Sequence, residues 1–300
     1  MAMDSGYVIL AERGVVALRG EDVRRLLQGV ISSDIERVTP ESASYGALLT
    51  PQGKYLFDFV ILQLGDALLL DTERARIADL TRRLLMYRLR AKVEIEDVSE
   101  AFAIGALLGD GLAARLGLPE RPGAARTVHD GVAMLDPRLL ELGARAVLPR
   151  GQAAASLEAM GFAPLPPAAY EQARLALGVP DGSRDLVVDR STLLESGFEE
   201  LRGVDFTKGC FVGQELTARM KYRGLVRKRL MPVAFAGPAP GAGTPIRLDG
   251  KDAGEMRSAH DGRGIALLRL EQVARAAADG VPLLADATEV IPRKPGWAKF

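Results

Sequence analysis

Cys210 is the only cysteine among 300 residues, and it stands in the run Lys208-Gly209-Cys210-Phe211-Val212-Gly213-Gln214-Glu215. Its neighbours suit a reactive thiol. Lys208 supplies a positive charge that favours the thiolate, the nucleophilic and metal-binding form of cysteine. Gly209 and Gly213 carry no Cβ, so the backbone beside the thiol is free to turn sharply or to approach a ligand. Gln214 and Glu215 add an amide and a carboxylate, two groups able to read the polar edge of a flat heterocycle. A free cysteine also serves as a small buried hydrophobe, and residue type alone leaves both roles open.

Other residues carry charge in telling places. Lys221, Arg223, Arg227, Lys228 and Arg229 make five of nine successive positions basic, a run suited to an anionic group; Lys228 and Arg229 read individually as solvated strand positions. Arg74, Arg76, Arg82, Arg83, Arg88 and Arg90 lie on one expected helix, where they suit a solvated face or phosphate contact. Asp34 follows two serines and suits a ligand contact or a turn cap equally. The histidines, His129 and His260, are far apart. One cysteine and two histidines leave no internal disulfide, no self-contained cluster site of about four thiolates and no structural zinc site of about four ligands.

Lysine plus arginine and aspartate plus glutamate number 39 each, so the whole-molecule field gives no general attraction to nucleic acid or anionic membrane. Hydrophobic residues make up 48% and charged residues 26%, the balance of a folded chain rather than a disordered one. No run approaches the roughly 18 uninterrupted apolar residues that a bilayer span needs. Residues 1–7 lack a basic region followed by an apolar one, so no leader and a cytoplasmic location are expected.

These groups must be positioned by several elements, because single cores seldom grow past about 250 residues. Residues 8–10 and 15–18 read as strands, followed by a helix near 21–27. Residues 45–49 and 55–64 form a hairpin around Pro51-Gln52-Gly53-Lys54, extended by 67–70 into a meander. Thr72 is expected to cap a helix with Ile77, Leu80 and Leu84 on one face, before a strand at 92–95. Residues 110–168 are rich in Ala, Gly, Pro and Leu and show no clear elements; three prolines then precede a helix over 168–177. Beyond 227, short apolar runs at 233–235, 246–248 and 265–270 between glycine-rich turns predict a β-rich domain. The order predicts an α+β class with a body over 1–226 and a second domain over 227–300.

The segment around Cys210 resembles the signature of the YgfZ/IBA57 (CAF17-like) family of folate-binding proteins, relatives of the glycine-cleavage aminomethyltransferase that serve in iron–sulfur cluster assembly and repair. Every fixed position of Lys-Gly-Cys-[Phe/Tyr]-x-Gly-Gln-Glu is present. Leu27-Gln28-Gly29 with Ser33-Asp34, and Leu48 to Lys54 followed by Phe57-Asp58-Phe59, resemble further family elements. The resemblance implies an aminomethyltransferase-like body of two α+β parts and a small C-terminal β-barrel-like domain. It implies tetrahydrofolate or a one-carbon derivative as cofactor, and Cys210, with Lys208, as the working thiol. Asp34, Asp58, Glu195, Gln214, Glu215 and Arg223 are the implied folate contacts, with no metal site wholly within the chain. A cluster would be shared transiently with a partner, an A-type iron–sulfur carrier or a client enzyme; no membrane and no strong direct nucleic-acid binding are expected, and effects on tRNA modification would be indirect. Two departures weaken aminomethyl transfer, which stays as the alternative activity: Phe57-Asp58 stands for an Asp-Asp pair, and Arg174-Leu175-Ala176-Leu177-Gly178 lacks the pterin-contacting acid. Whether the chain is an enzyme is left open.

Overall fold

The computed structural model describes residues 5–300; the expectation about residues 1–7 therefore lies, for 1–4, outside the described residues. In chain order the first elements are strands β1 (Gly6–Ile9) and β2 (Arg13–Arg19), helix α1 (Val23–Val30), strands β3 (Ser44–Leu49), β4 (Tyr55–Leu64) and β5 (Ala67–Glu73), helix α2 (Ile77–Arg88) and strand β6 (Glu94–Asp97). Next come β7 (Phe102–Leu108), α3 (Leu112–Leu116), β8 (Ala125–Val128), β9 (Gly131–Leu135), β10 (Ala144–Pro149), α4 (Ala153–Ala159), β11 (Ala163–Pro164), α5 (Ala168–Leu177), α6 (Gly182–Asp185) and α7 (Gln214–Tyr222). The chain ends in β12 (Lys228–Phe235), β13 (Pro245–Leu248), β14 (Lys251–His260), β15 (Arg263–Arg269), α8 (Leu270–Asp279), β16 (Leu283–Ala285) and β17 (Thr288–Pro292).

The strands assemble into a five-stranded sheet β3-β4-β5-β2-β6, a six-stranded sheet β11-β1-β7-β10-β9-β8, and a closed barrel β12-β15-β14-β13-β16-β17. This is the α+β class that the element order predicts, with the C-terminal barrel that the family resemblance implies. Side chains of a strand alternate between faces, and β4 is apolar on both. Phe59 and Ile61 join the core covered by α1 and α2, while Val60 and Leu62 join the core between the two sheets. In the six-stranded sheet, Ile104 and Ala106 face the same inter-sheet core, and Ala103 and Leu107 pack under α3 and α4. The body is thus two sheets face to face with helices outside.

Charge also crosses that inter-sheet core. Arg145 on β10 donates to Asp71 on β5 at 2.7 Å, to Asp136 at 3.0 Å and to the Tyr170 hydroxyl at 2.6 Å. Arg13 on β2 donates to Asp71 from the other side at 2.7 Å. All four charged groups are buried. The barrel is seated on the body by Leu230 and Ile265, which join the inter-sheet core, and by the Trp297 indole N–H on the Leu177 carbonyl at 2.7 Å.

Three expectations change. Thr72 lies in β5 and its hydroxyl donates to the Asp58 carbonyl, so it is a cross-strand contact and not the cap of α2. Residues 110–168 hold ordered short strands and helices whose alanine and glycine gave no periodic signal. Arg229 is not solvated: it is buried, donating to the Leu194 carbonyl at 2.9 Å and to Glu200 at 2.9 Å.

Candidate functional site

The loop 205–213 is held between α1 and the β3–β4 turn. Its Val212 N–H donates to the Gly29 carbonyl at 3.1 Å, and the Gln28 amide donates to the Lys208 carbonyl at 3.2 Å. The Lys208 ammonium donates in return to the carbonyls of Gln28 at 2.8 Å and Ile31 at 2.7 Å. Helices leave their last carbonyls unpaired, and a cation there satisfies both hydrogen bonding and the helix dipole. Lys208 is therefore the cap of α1. Burial pulls its pKa down to about 8, against the opposing pull of Asp34 and Asp205.

On the other side two glycines meet. Gly213 (φ +82°) sits so close to the β3–β4 turn that a Cβ would lie 2.4 Å from the Thr50 carbonyl oxygen. Gly53 of that turn (φ +80°) would place a Cβ 2.7 Å from the Gly213 oxygen. Both positions need glycine on conformation and on space. Gln214 opens α7, and its amide oxygen accepts from the Phe211 N–H at 3.2 Å, closing the turn; Phe211 is itself buried. Between these anchors, Gly209 has φ +92° with open space on its Cβ side, and Cys210 is exposed. The reading of Cys210 as a buried hydrophobe is thereby excluded; a fixed loop presents the thiol to solvent.

The remaining expected site residues separate into groups. Glu215 is exposed on α7, 3.8 Å from Arg219, and Arg223 is exposed at the end of the same helix. Asp34 is joined to the motif through Gln28, whose amide donates to it at 2.9 Å; it also accepts from the Glu36 N–H at 3.2 Å, as the cap of a short 3-10 turn. Asp58 lies elsewhere. It is 4% exposed, on β4 between β3 and β5, so it is not at a strand edge. Its two oxygens accept from the hydroxyls of Tyr45 at 2.9 Å and Tyr55 at 2.7 Å. Burial raises its pKa above the usual carboxylate range, with Arg13 and both tyrosines opposing. Glu195 accepts from the Thr192 hydroxyl at 2.8 Å while its carbonyl accepts from the Leu230 N–H, placing it at the seam with the barrel and not in the motif's bonding network.

A cavity of about 360 Å³ adjoins the loop, lined in part by Ser33, Asp34, Tyr45 and Asp205, with Arg37, Arg121 and Arg202 at its wall. The Tyr45 ring, stacked on Phe198 at 5.0 Å, separates this space from Asp58. Ser33 Oγ is buried and has no hydrogen-bond partner among the described residues. Asp205 pairs with Arg37 at 2.7 Å and accepts from the Thr207 N–H and hydroxyl. Sequence reasoning missed Tyr45, Ser33, Arg37 and Asp205 as one surface; Asp205-Phe206-Thr207, an Asx turn beside the motif, was the available signal. Among the described residues no group of three or more His, Cys, Asp or Glu is placed to hold a metal ion.

Comparison with known proteins gives a consistent result. The family model "CAF17, C-terminal beta-barrel domain" matches residues 227–300. The iron-sulfur cluster assembly factor IBA57, mitochondrial, of Homo sapiens is 32% identical over 281 residues, covering 87% of this chain and 76% of that protein. The Mus musculus protein of the same name is 30% identical over 296 residues, covering 87% and 76%. The glycine cleavage system aminomethyltransferase T from Bartonella henselae superposes with a TM-score of 0.77 over 98% of this chain and 86% of its own, at 14% identity, which is a likeness of fold. These comparisons overturn one expectation: the matched assembly factors are named mitochondrial, so the cytoplasmic location does not stand. Among the described residues no helix is long and apolar enough to cross a membrane.

Proposed function

The chain belongs to the IBA57 family of iron–sulfur cluster assembly factors, and from that premise we propose that it supports assembly or repair of clusters, four-iron ones above all, in client enzymes, with Cys210 as the working thiol. The observation that carries this reading is the exposure of the sole cysteine on a loop fixed by a capped helix on one side and a glycine contact on the other. A cluster needs about four ligands, so one thiolate offers a single ligand to a cargo whose others come from a partner, an A-type carrier or the client itself. Lys208 works by fixing the loop, because its ammonium is directed to the α1 carbonyls.

The cavity beside the loop suits a tetrahydrofolate derivative, which when bound supplies a reduced pterin able to carry a one-carbon unit. Ser33 Oγ, buried and unpartnered beside the Asp205–Arg37 pair, meets a donor or acceptor of a pterin edge. The Tyr45 ring gives a flat wall, and Arg37, Arg121 and Arg202 match a dianionic glutamate tail. Asp58 takes part only by holding the Tyr45 hydroxyl. With both oxygens engaged and 4% exposure, Asp58 is poorly placed for aminomethyl transfer.

Purified components test both parts. The wild-type protein, with a carrier, iron, sulfide and a reductant, is expected to accelerate reactivation of an apo four-iron dehydratase, and Cys210→Ala is not; equal acceleration removes the thiol from the account. Titration with 5-formyltetrahydrofolate, followed by intrinsic fluorescence, is expected to show affinity unchanged in Cys210→Ala and about tenfold weaker in Arg202→Ala, the order expected for one charge-assisted hydrogen bond.

A further inference from the structure

Helix α2 is apolar on two faces. Ile77, Leu80 and Leu84 are buried in the core beneath it. Leu85, Met86 and Leu89 are exposed, at 41%, 63% and 85% of their surface. Leu89 ends the helix at φ +46°, a conformation that glycine adopts freely and leucine does not. The backbone there bears a conformational cost while it holds an apolar side chain in water. Beside it runs a groove of about 780 Å³ between α1 and the end of α2, with Leu26, Val30 and Tyr87 in its wall and Arg25, Arg88 and Arg90 along it, but no acidic residue. Arg83, Arg88 and Arg90 form no ion pair among the described residues. At one end the groove includes Gly29, whose carbonyl accepts from Val212, two residues beyond Cys210.

We propose that this groove docks an acidic amphipathic segment of the protein that shares the cluster, its apolar side chains against Leu26, Val30 and Leu89 in the groove and reaching the exposed Leu85 and Met86 of the preceding turn, its carboxylates on Arg88 and Arg90. The inference rests on the cluster reading above for the identity of that protein. Charge selects the occupant: Arg25 is paired with Asp22, but Arg88 and Arg90 have no ion-pair partner among the described residues, and they repel a basic segment and attract an acidic one. The exposed leucines and methionine add an apolar demand that a nucleic acid does not meet, and a concave wall suits a chain segment better than a flat bilayer. Continuity with Gly29 brings the docked partner to the thiol.

The test uses the full chain and a fluorescein-labelled synthetic helix with leucines at i, i+3, i+4 and i+7 and glutamates elsewhere, compared with its lysine counterpart. The glutamate peptide is expected to bind with a strong salt dependence, and the lysine peptide not. Affinity should fall about tenfold or more in the double variant Arg88→Glu, Arg90→Glu and in Met86→Asp, and survive in Arg88→Lys, Arg90→Lys. Equal binding of the two peptides, or equal affinity in the glutamate variant, overturns the proposal. Binding of wild type to phosphatidylserine vesicles, lost in Met86→Asp while the peptide does not bind, overturns it in favour of a lipid-facing surface. Cys210→Ala should bind the peptide as wild type does. If it does so and also reactivates the dehydratase, the cluster reading fails while the docking surface stands.

Discussion

Cys210 and Asp58 show how residue type and residue environment divide the information. The sequence placed a reactive thiol in a permissive run, and the loop exposes it. It could not show that Lys208 turns to the carbonyls of α1, because those acceptors come from residues about 180 positions earlier in the chain. Nor could it show that Asp58 is enclosed by Tyr45 and Tyr55. Asp58→Ala leaves two buried hydroxyls unpaired at roughly 1–3 kcal/mol each, so urea denaturation should show a destabilisation of about 2–6 kcal/mol, while Cys210 stays exposed. A loss below about 1 kcal/mol would mean the tyrosines find other partners. The depressed pKa of Lys208, about 8 against an ordinary 10.5, has its own consequence. The folded state binds this proton less tightly than the unfolded one, so wild type should gain stability relative to Lys208→Met as pH rises from 8 to 10.5. A flat difference across that range would contradict the assigned burial of the ammonium.

The elements that were legible are those with strong local chemistry. The β3–β4 hairpin follows from Pro51-Gln52-Gly53-Lys54, and α5 from the prolines before it. Residues 110–168 were opaque because strands such as β9 and β10 are short and buried on both sides, which removes alternation. The pairing of the two sheets was opaque for another reason: it depends on Arg145 meeting Asp71, 74 positions apart. Arg145→Met removes the cation shared by Asp71, Asp136 and Tyr170, but Arg13 still pairs with Asp71 and Arg138 with Asp136, so the loss should be about 1–3 kcal/mol, that of buried polar groups left partly unsatisfied. Asp71→Ala and Arg145→Met together should cost less than the sum of the two single losses, although Arg13 also loses its partner in Asp71→Ala; strictly additive losses would show the two groups to be independent. Asp136 and Asp181 are held below the carboxylate range by neighbouring arginines despite burial, Asp181 at about 2. Their contribution is present above the ordinary value of 3.8 and should be lost progressively as pH falls below it, for Asp181 through about 2 and for Asp136 lower still, which acid titration of stability checks.

At the scale of the molecule, fold and function separate. A fold like that of an aminomethyltransferase, at 14% identity, carries here a thiol motif on an exposed loop, and the likeness of fold does not by itself assign the motif's role. The barrel reaches into the inter-sheet core through Leu230 and Ile265, so the chain presents the loop, the cavity at Tyr45 and the α1–α2 groove on one continuous body. On the function proposed above, this body works in cluster maintenance through the Cys210 thiol. The most direct measurement is aconitase activity in cells lacking this gene, complemented with wild type or Cys210→Ala at matched soluble levels. The account predicts a deficit that wild type restores and Cys210→Ala does not; equal restoration by the two proteins would contradict it.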